Sequence, residues 1–108
     1  MEHNYDILTE LARQSIRITW EMTDDEYDVL QREAEDAVNM LETYVGAGLD
    51  FEAPGLARRL FLACVRYIHN DSEELFVNNF NNDLNSLRLN VATRRMEEED
   101  GDNQHKQA

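Results

Sequence analysis

Hydrophobic positions along the chain recur at helical spacing in four successive stretches. In the first, about Tyr5 to Arg17, Ile7, Leu8, Leu11 and Ser15, with Ala12 beside them, keep the spacing of a helix of about three turns. Ile16-Arg17-Ile18-Thr19-Trp20 then alternates, which predicts an extended connector anchored by Trp20. The second stretch carries the strongest signal. Thr23 with Glu26 reads as a capping box, and Asp24, Asp25 and Glu26 suit the positive end of a helix. From there Tyr27, Leu30, Ala34, Ala37, Val38, Leu41 and Val45 fall within an arc of roughly 100°, the width of a core-facing stripe. Asp25, Asp28, Arg32, Glu35, Asp36, Asn39 and Glu42 occupy the opposite face, and Gly46 and Gly48 end the helix.

A short connector, Leu49 to Ala53, offers Phe51 as a plug, and Pro54 stands where a helix-initiating proline belongs. The third helix, from Pro54 to about Asn70, is apolar almost all round, with polar residues gathered at Arg58, Arg59, Arg66 and His69. Such a helix sits at the centre of a bundle, or buries one face in its own domain and another against a neighbouring subunit. Asn70-Asp71-Ser72 is a break, with Asp71 as the cap of the next helix and Glu74 three residues on. The fourth helix is expected from about Ser72 to at least Arg88, with Phe76, Phe80, Leu84, Leu87 and Val91 within an arc of roughly 80°. It also holds Asn78, Asn79, Asn81, Asn82 and Asn85, poor helix formers that packing must hold in place.

The pattern therefore predicts an all-α fold, a small bundle of about four helices with a C-terminal arm. Residues 1–92 form the helical domain. Residues 93–108, with Glu97-Glu98-Glu99-Asp100-Gly101-Asp102, form an acidic arm whose composition favours disorder until a partner binds it.

Composition narrows the class further. With 108 residues the chain is long enough for one core and too short for two. Four Gly and one Pro are too few for an all-β fold. No apolar run approaches the roughly 20 residues that cross a bilayer, so no membrane role is expected. Met1 to Asp6 has neither the basic nor the apolar region of a signal peptide. Cys64 is a lone cysteine, without an internal partner, and a reducing cytosol suits it.

Charge changes the picture more. The net charge of −13 repels DNA, RNA and anionic lipid. It is also unevenly spread. Residues 24–50 hold nine acids and one Arg, whereas residues 51–70 hold one acid and three Arg. That asymmetry fits copies or partners meeting through opposite charge, and solubility accounts for part of it as well. Arg59 and Arg66, seven apart, share a helix face. Arg58, Arg59 and Arg66 either pair with acids of the second helix or contact an acidic face of a neighbouring copy.

Candidate chemistry is sparse. Cys64 and His69 lie five apart, roughly 140° around one helix, which is no nucleophile–base pair, and Cys64 sits in an apolar run that favours an inert thiol. His69, Asp71, Glu73 and Glu74 straddle a helix break, where capping accounts for two of the acids. Gly46-Ala47-Gly48 closes a helix and lacks the lysine of a phosphate loop. No catalytic residue, metal or cofactor is expected, and binding other proteins is the expected activity.

The order of elements resembles a known family. Asp50-Phe51-Glu52-Ala53-Pro54-Gly55-Leu56-Ala57-Arg58-Arg59-Leu60, then Cys64-Val65-Arg66-Tyr67-Ile68-His69-Asn70, then Glu74-Leu75-Phe76 and Asn79-Phe80, look like the small head–tail connector (adaptor) proteins of long-tailed bacteriophages. The helix start Thr23-Asp24-Asp25-Glu26-Tyr27, ending in a Gly-containing loop, fits as well. The resemblance spans roughly residues 5–90, and order and spacing carry it jointly. It implies a ring of about twelve copies beneath the portal protein, joining portal to stopper or tail-completion protein and extending the DNA channel. By the same resemblance the segment with Leu89, Val91, Arg94, Arg95 and Met96 would be the portal-binding arm. The virion neck would be its place, after synthesis in the bacterial host cytoplasm. Asp25, Asp28, Glu35, Asp36 and Glu42 are then candidate channel-lining acids, along which DNA passes without specific binding, and Arg58, Arg59 and Arg66 candidate subunit contacts. The alternative is an acidic helical regulator, such as a DNA mimic that occupies a nucleic-acid-binding protein.

Overall fold

The computed structural model describes the backbone of residues 3–18 and 20–107 and the side chains of these residues as far as residue 94. Five α-helices account for the regular structure of the described residues: α1 (Tyr5–Ile16), α2 (Asp24–Val45), α3 (Leu56–His69), α4 (Glu73–Asn79) and α5 (Asn81–Gln107). The all-helical expectation holds, with one more helix than the pattern predicts.

α1 opens on Asn4, whose side-chain oxygen accepts from the Ile7 amide at 3.3 Å. It closes in a six-residue stop: the Ile18 amide donates to the Arg13 carbonyl and the Arg17 amide to that of Gln14, both at 3.1 Å. This places Arg17 at φ 65, ψ 39, the left-handed region that glycine adopts most easily. Arg17→Gly should therefore stabilise the fold, by about 0.5–1 kcal/mol once the added freedom of the unfolded chain is included, read as a higher urea midpoint at unchanged slope.

The connector differs from the expected one in its anchor. Ile18 is the buried residue, and Trp20 is 56 % exposed, with its indole N–H donating to the Glu26 carboxylate at 3.2 Å. The bonds that seat Ile18 also explain the choice, because Ile18 is the last residue of the α1 stop and is folded back on the helix, two residues before Trp20.

α2 begins with the expected capping box. The Glu26 amide donates to Thr23 Oγ1 and the Thr23 amide to Glu26 Oε1, each at 3.2 Å. Leu30, Ala34, Ala37, Val38 and Leu41 of its stripe are buried, and Gly46 ends it in the left-handed region. Pro54 does not open α3. Asp50 Oδ1 accepts from the Glu52 and Ala53 amides in a tight turn, and Gly55 is the cap at φ 151, ψ −168, a conformation that L side chains rarely adopt. Nor does Asp71 cap α4. It sits at φ 55 in a second six-residue stop, where the Ser72 amide donates to the Tyr67 carbonyl at 2.8 Å and the Asp71 amide to that of Ile68 at 3.0 Å. A residue committed to ending α3 leaves the cap position of α4 to Ser72.

The expected fourth helix is two helices, broken at Phe80 (φ −114, ψ 19). The ring of Phe80 stacks on Phe76 at 5.0 Å and meets Tyr67 edge-on at 5.6 Å. Asparagines on both sides give the backbone little helical preference with which to resist that packing.

The core joins Leu8 and Ala12 of α1, the α2 stripe, Leu60, Phe61, Cys64 and Val65 of α3, and Phe76, Leu84 and Leu87 of α4 and α5. Ala12, Ala34 and Ala37 have no exposed surface. Phe51 is the plug the connector predicts: its ring lies 5.4 Å from Phe61 and 5.4 Å from the His3 ring.

Candidate functional site

Cys64 has no exposed surface, and its Sγ lies 4.0 Å from the Met40 sulfur. Burial, with Asp36 and Glu73 adding negative potential, pushes its pKa from 9.0 up to about 12. A thiol so placed is a poor nucleophile. It should resist iodoacetamide at pH 8 in the native protein and react once urea unfolds the chain. Because the folded pKa is raised, the stability that the neutral thiol contributes is complete below pH 9 and is lost as pH climbs toward 12. Alkaline titration of the midpoint, compared with Cys64→Ala, reads that loss; equal slopes with pH would contradict it.

His69 is occupied. Its Nδ1 lies 3.0 Å from Glu33 Oε1, tying the end of α3 to α2. No group of three or more His, Cys, Asp and Glu among the described residues is arranged to hold a metal ion, and no described helix is long and apolar enough to cross a membrane.

The acids of α2 divide into two kinds. Asp25, Asp28 and Asp36 are exposed, in a row opposite the buried stripe. Glu35 and Glu42 are half-buried, and both raise the Tyr5 pKa, behind burial as its first cause. Glu42 is a structural group: its Oε2 accepts from the Leu49 amide at 2.8 Å and lies 3.0 Å from His3 Nε2. Glu26, at the exposed start of the helix, is held below the usual carboxylate range by the Trp20 indole N–H and then by the Thr23 cap.

The arginines also separate. Arg58 Nη1 donates to the Glu52 carbonyl at 3.4 Å, within its own connector. Arg59 and Arg66 form no ion pair with a described residue; the α2 acids that are paired are paired with His69 and His3. Of the two alternatives for the α3 arginines, pairing with α2 acids is thus not made among the described residues. Arg59 and Arg66 instead flank a groove of about 320 Å³ between α1, α3 and the α4–α5 junction.

Further along, Leu89 is 67 % exposed, Val91 packs against the core and Arg94 is exposed. Val91 and Arg94 line an open pocket of about 450 Å³ between α5 and the connector before α3. α5 continues to Gln107 across the expected boundary at residue 92; the side chains of Arg95, Met96 and the rest of the arm lie outside the described residues. The groove and the exposed Trp20 are what the pattern leaves out, although Arg59 and Arg66 on one face and the apolar remainder of α3 are its traces in the sequence. Comparison with protein-family models, with curated proteins and with solved structures gives no match.

Proposed function

We propose that the chain is a structural virion protein, the head-to-tail connector subunit of a long-tailed bacteriophage. In this reading a small helical bundle assembles as a ring of about twelve copies beneath the portal protein and joins it to a stopper or tail-completion protein. The observation that carries the reading is the segregation of charge, an exposed acidic row on α2 against Arg59 and Arg66 on α3, which pair with no acid among the described residues. A ring of such subunits can turn its acids toward the channel, where like charge keeps passing DNA from sticking. The C-terminal segment with Leu89, Val91, Arg94, Arg95 and Met96 serves as the portal-binding arm, a role that rests on the family resemblance.

The exposed acidic row also favours a second reading, a regulator that mimics DNA and occupies a nucleic-acid-binding partner. The two differ in stoichiometry. Native mass of the full chain, alone and with purified portal protein, is expected to show a ring that forms or is captured on the portal. A chain that stays monomeric and ignores the portal sinks the connector reading, and a discrete one-to-one complex with a nucleic-acid-binding protein supports the other.

A further inference from the structure

Two surfaces that neither the core nor an ion pair among the described residues accounts for are complementary to each other. The first is a knob. Trp20 stands 56 % exposed in the connector between α1 and α2, with its indole N–H on Glu26, and it is followed by exposed Glu21, Asp24, Asp25 and Glu26. More than half of this indole residue is in water, in a segment that carries four carboxylates.

The second surface is the groove along α3. Leu60, Leu62, Ala63 and Phe80 supply its apolar lining, and Arg59 and Arg66 stand on its border. Asp83 is the one acid among its described lining residues, on the α5 side. Its volume of about 320 Å³ is at the lower end of the range for small-ligand sites, a size suited to one large side chain.

We propose that Trp20 of one copy docks into the α3 groove of a second copy, with Arg59 and Arg66 facing the acids around the knob. The occupant follows from charge: the chain carries −13 overall, and this groove is a locally basic, apolar-lined place where a strongly acidic segment meets attraction in place of repulsion. Tryptophan and arginine are also the side chains most enriched at the energetic centres of interfaces. Knob and groove are different patches, so a copy that offers its knob to one neighbour keeps its groove for another, and the contact propagates head to tail into a ring or filament. The proposal rests on the reading of the chain as an assembling subunit and names the contact that assembles it.

The chain holds a single tryptophan, so its emission reports this contact directly. Sedimentation of the full chain over a concentration range, alone and with purified portal protein, is read together with Trp20 emission and acrylamide quenching. Assembly is expected to shift the emission to the blue and to shield the indole. Trp20→Ala and the pair Arg59→Glu, Arg66→Glu should each weaken self-association about tenfold or more. All three residues are exposed, so circular dichroism should show both variants folded. Mixing the variants distinguishes a specific contact from general stickiness. The Trp20→Ala chain keeps its groove and the arginine variant keeps its knob, so together they should form dimers and nothing larger. An assembled wild type with an unshielded Trp20, or variants that assemble as well as the wild type, overturns the contact and leaves the ring reading standing. A chain that is monomeric at every concentration, with and without portal, overturns both.

Discussion

Phe61→Ala is expected to remove about 3–5 kcal/mol from the stability of the fold, the usual range for deleting a fully buried aromatic side chain. Phe61 has no exposed surface and lies in α3, the helix that packs against the four others. Its ring meets Phe51 at 5.4 Å, and Phe51 in turn meets His3, so the cavity would open where the N-terminal segment, the connector and α3 converge. A domain of this size is stable by roughly 5–15 kcal/mol, so the variant should be close to unfolding at physiological temperature. Urea denaturation followed by far-UV circular dichroism measures the loss as a lower midpoint at unchanged slope. Leu89→Ala is the control: 67 % exposed, it should shift stability by no more than about 0.5 kcal/mol. A loss under about 1 kcal/mol at Phe61 would mean that this part of the core is loosely packed.

Reversing Asp25, Asp28 and Asp36 to lysine should convert a surface that repels duplex DNA into one that binds it. Each reversal removes one negative charge and adds one positive charge on the exposed row of α2, where Arg32 already lies. Glu35 and Glu42 are left in place because both are half-buried and Glu42 holds the Leu49 amide. Fluorescence anisotropy with a labelled duplex should detect no binding by the wild type. The variant should bind with an affinity that falls steeply with salt, log K losing about 0.9 per log unit of salt for each phosphate contacted. In a ring the lysines of every subunit act together, so the effect grows with assembly. A reversed variant as inert as the wild type would mean that the acids are not what keeps DNA off this face.

What could be read along the chain depends on how local each cause is. The start of α2 is legible because its capping box lies within four residues, and its stripe because burial on one face imposes the helical period directly. The break at Phe80 is hidden by that same period: Phe76, Phe80, Leu84, Leu87 and Val91 keep step through it, and only the asparagines betray a weak backbone. Asp71 is a case of two local rules competing for one residue, and the stop of α3 prevails over the cap of α4. Trp20 cannot be placed from sequence, since Ile18 and Trp20 are both apolar candidates and the hydrogen bonds that seat Ile18 decide between them. The groove is less legible again. It consists of what remains uncovered after α1, α3 and the α4–α5 junction have packed, and no spacing along the chain encodes an unfilled space.

The buried alanines of α1 and α2 have a consequence for descent. Ala12, Ala34 and Ala37 have no exposed surface, so the helices meet there on single methyl groups. Any larger residue would force them apart, at about 1–3 kcal/mol for each overpacked site. Acids on the solvent face bear no such constraint and can be exchanged for one another freely. Lineages diverging from this chain would therefore keep a sparse set of small and aromatic positions while the rest of the surface drifts. Kinship would then persist as three methyls and two phenylalanines, Phe51 and Phe61, long after overall identity had faded.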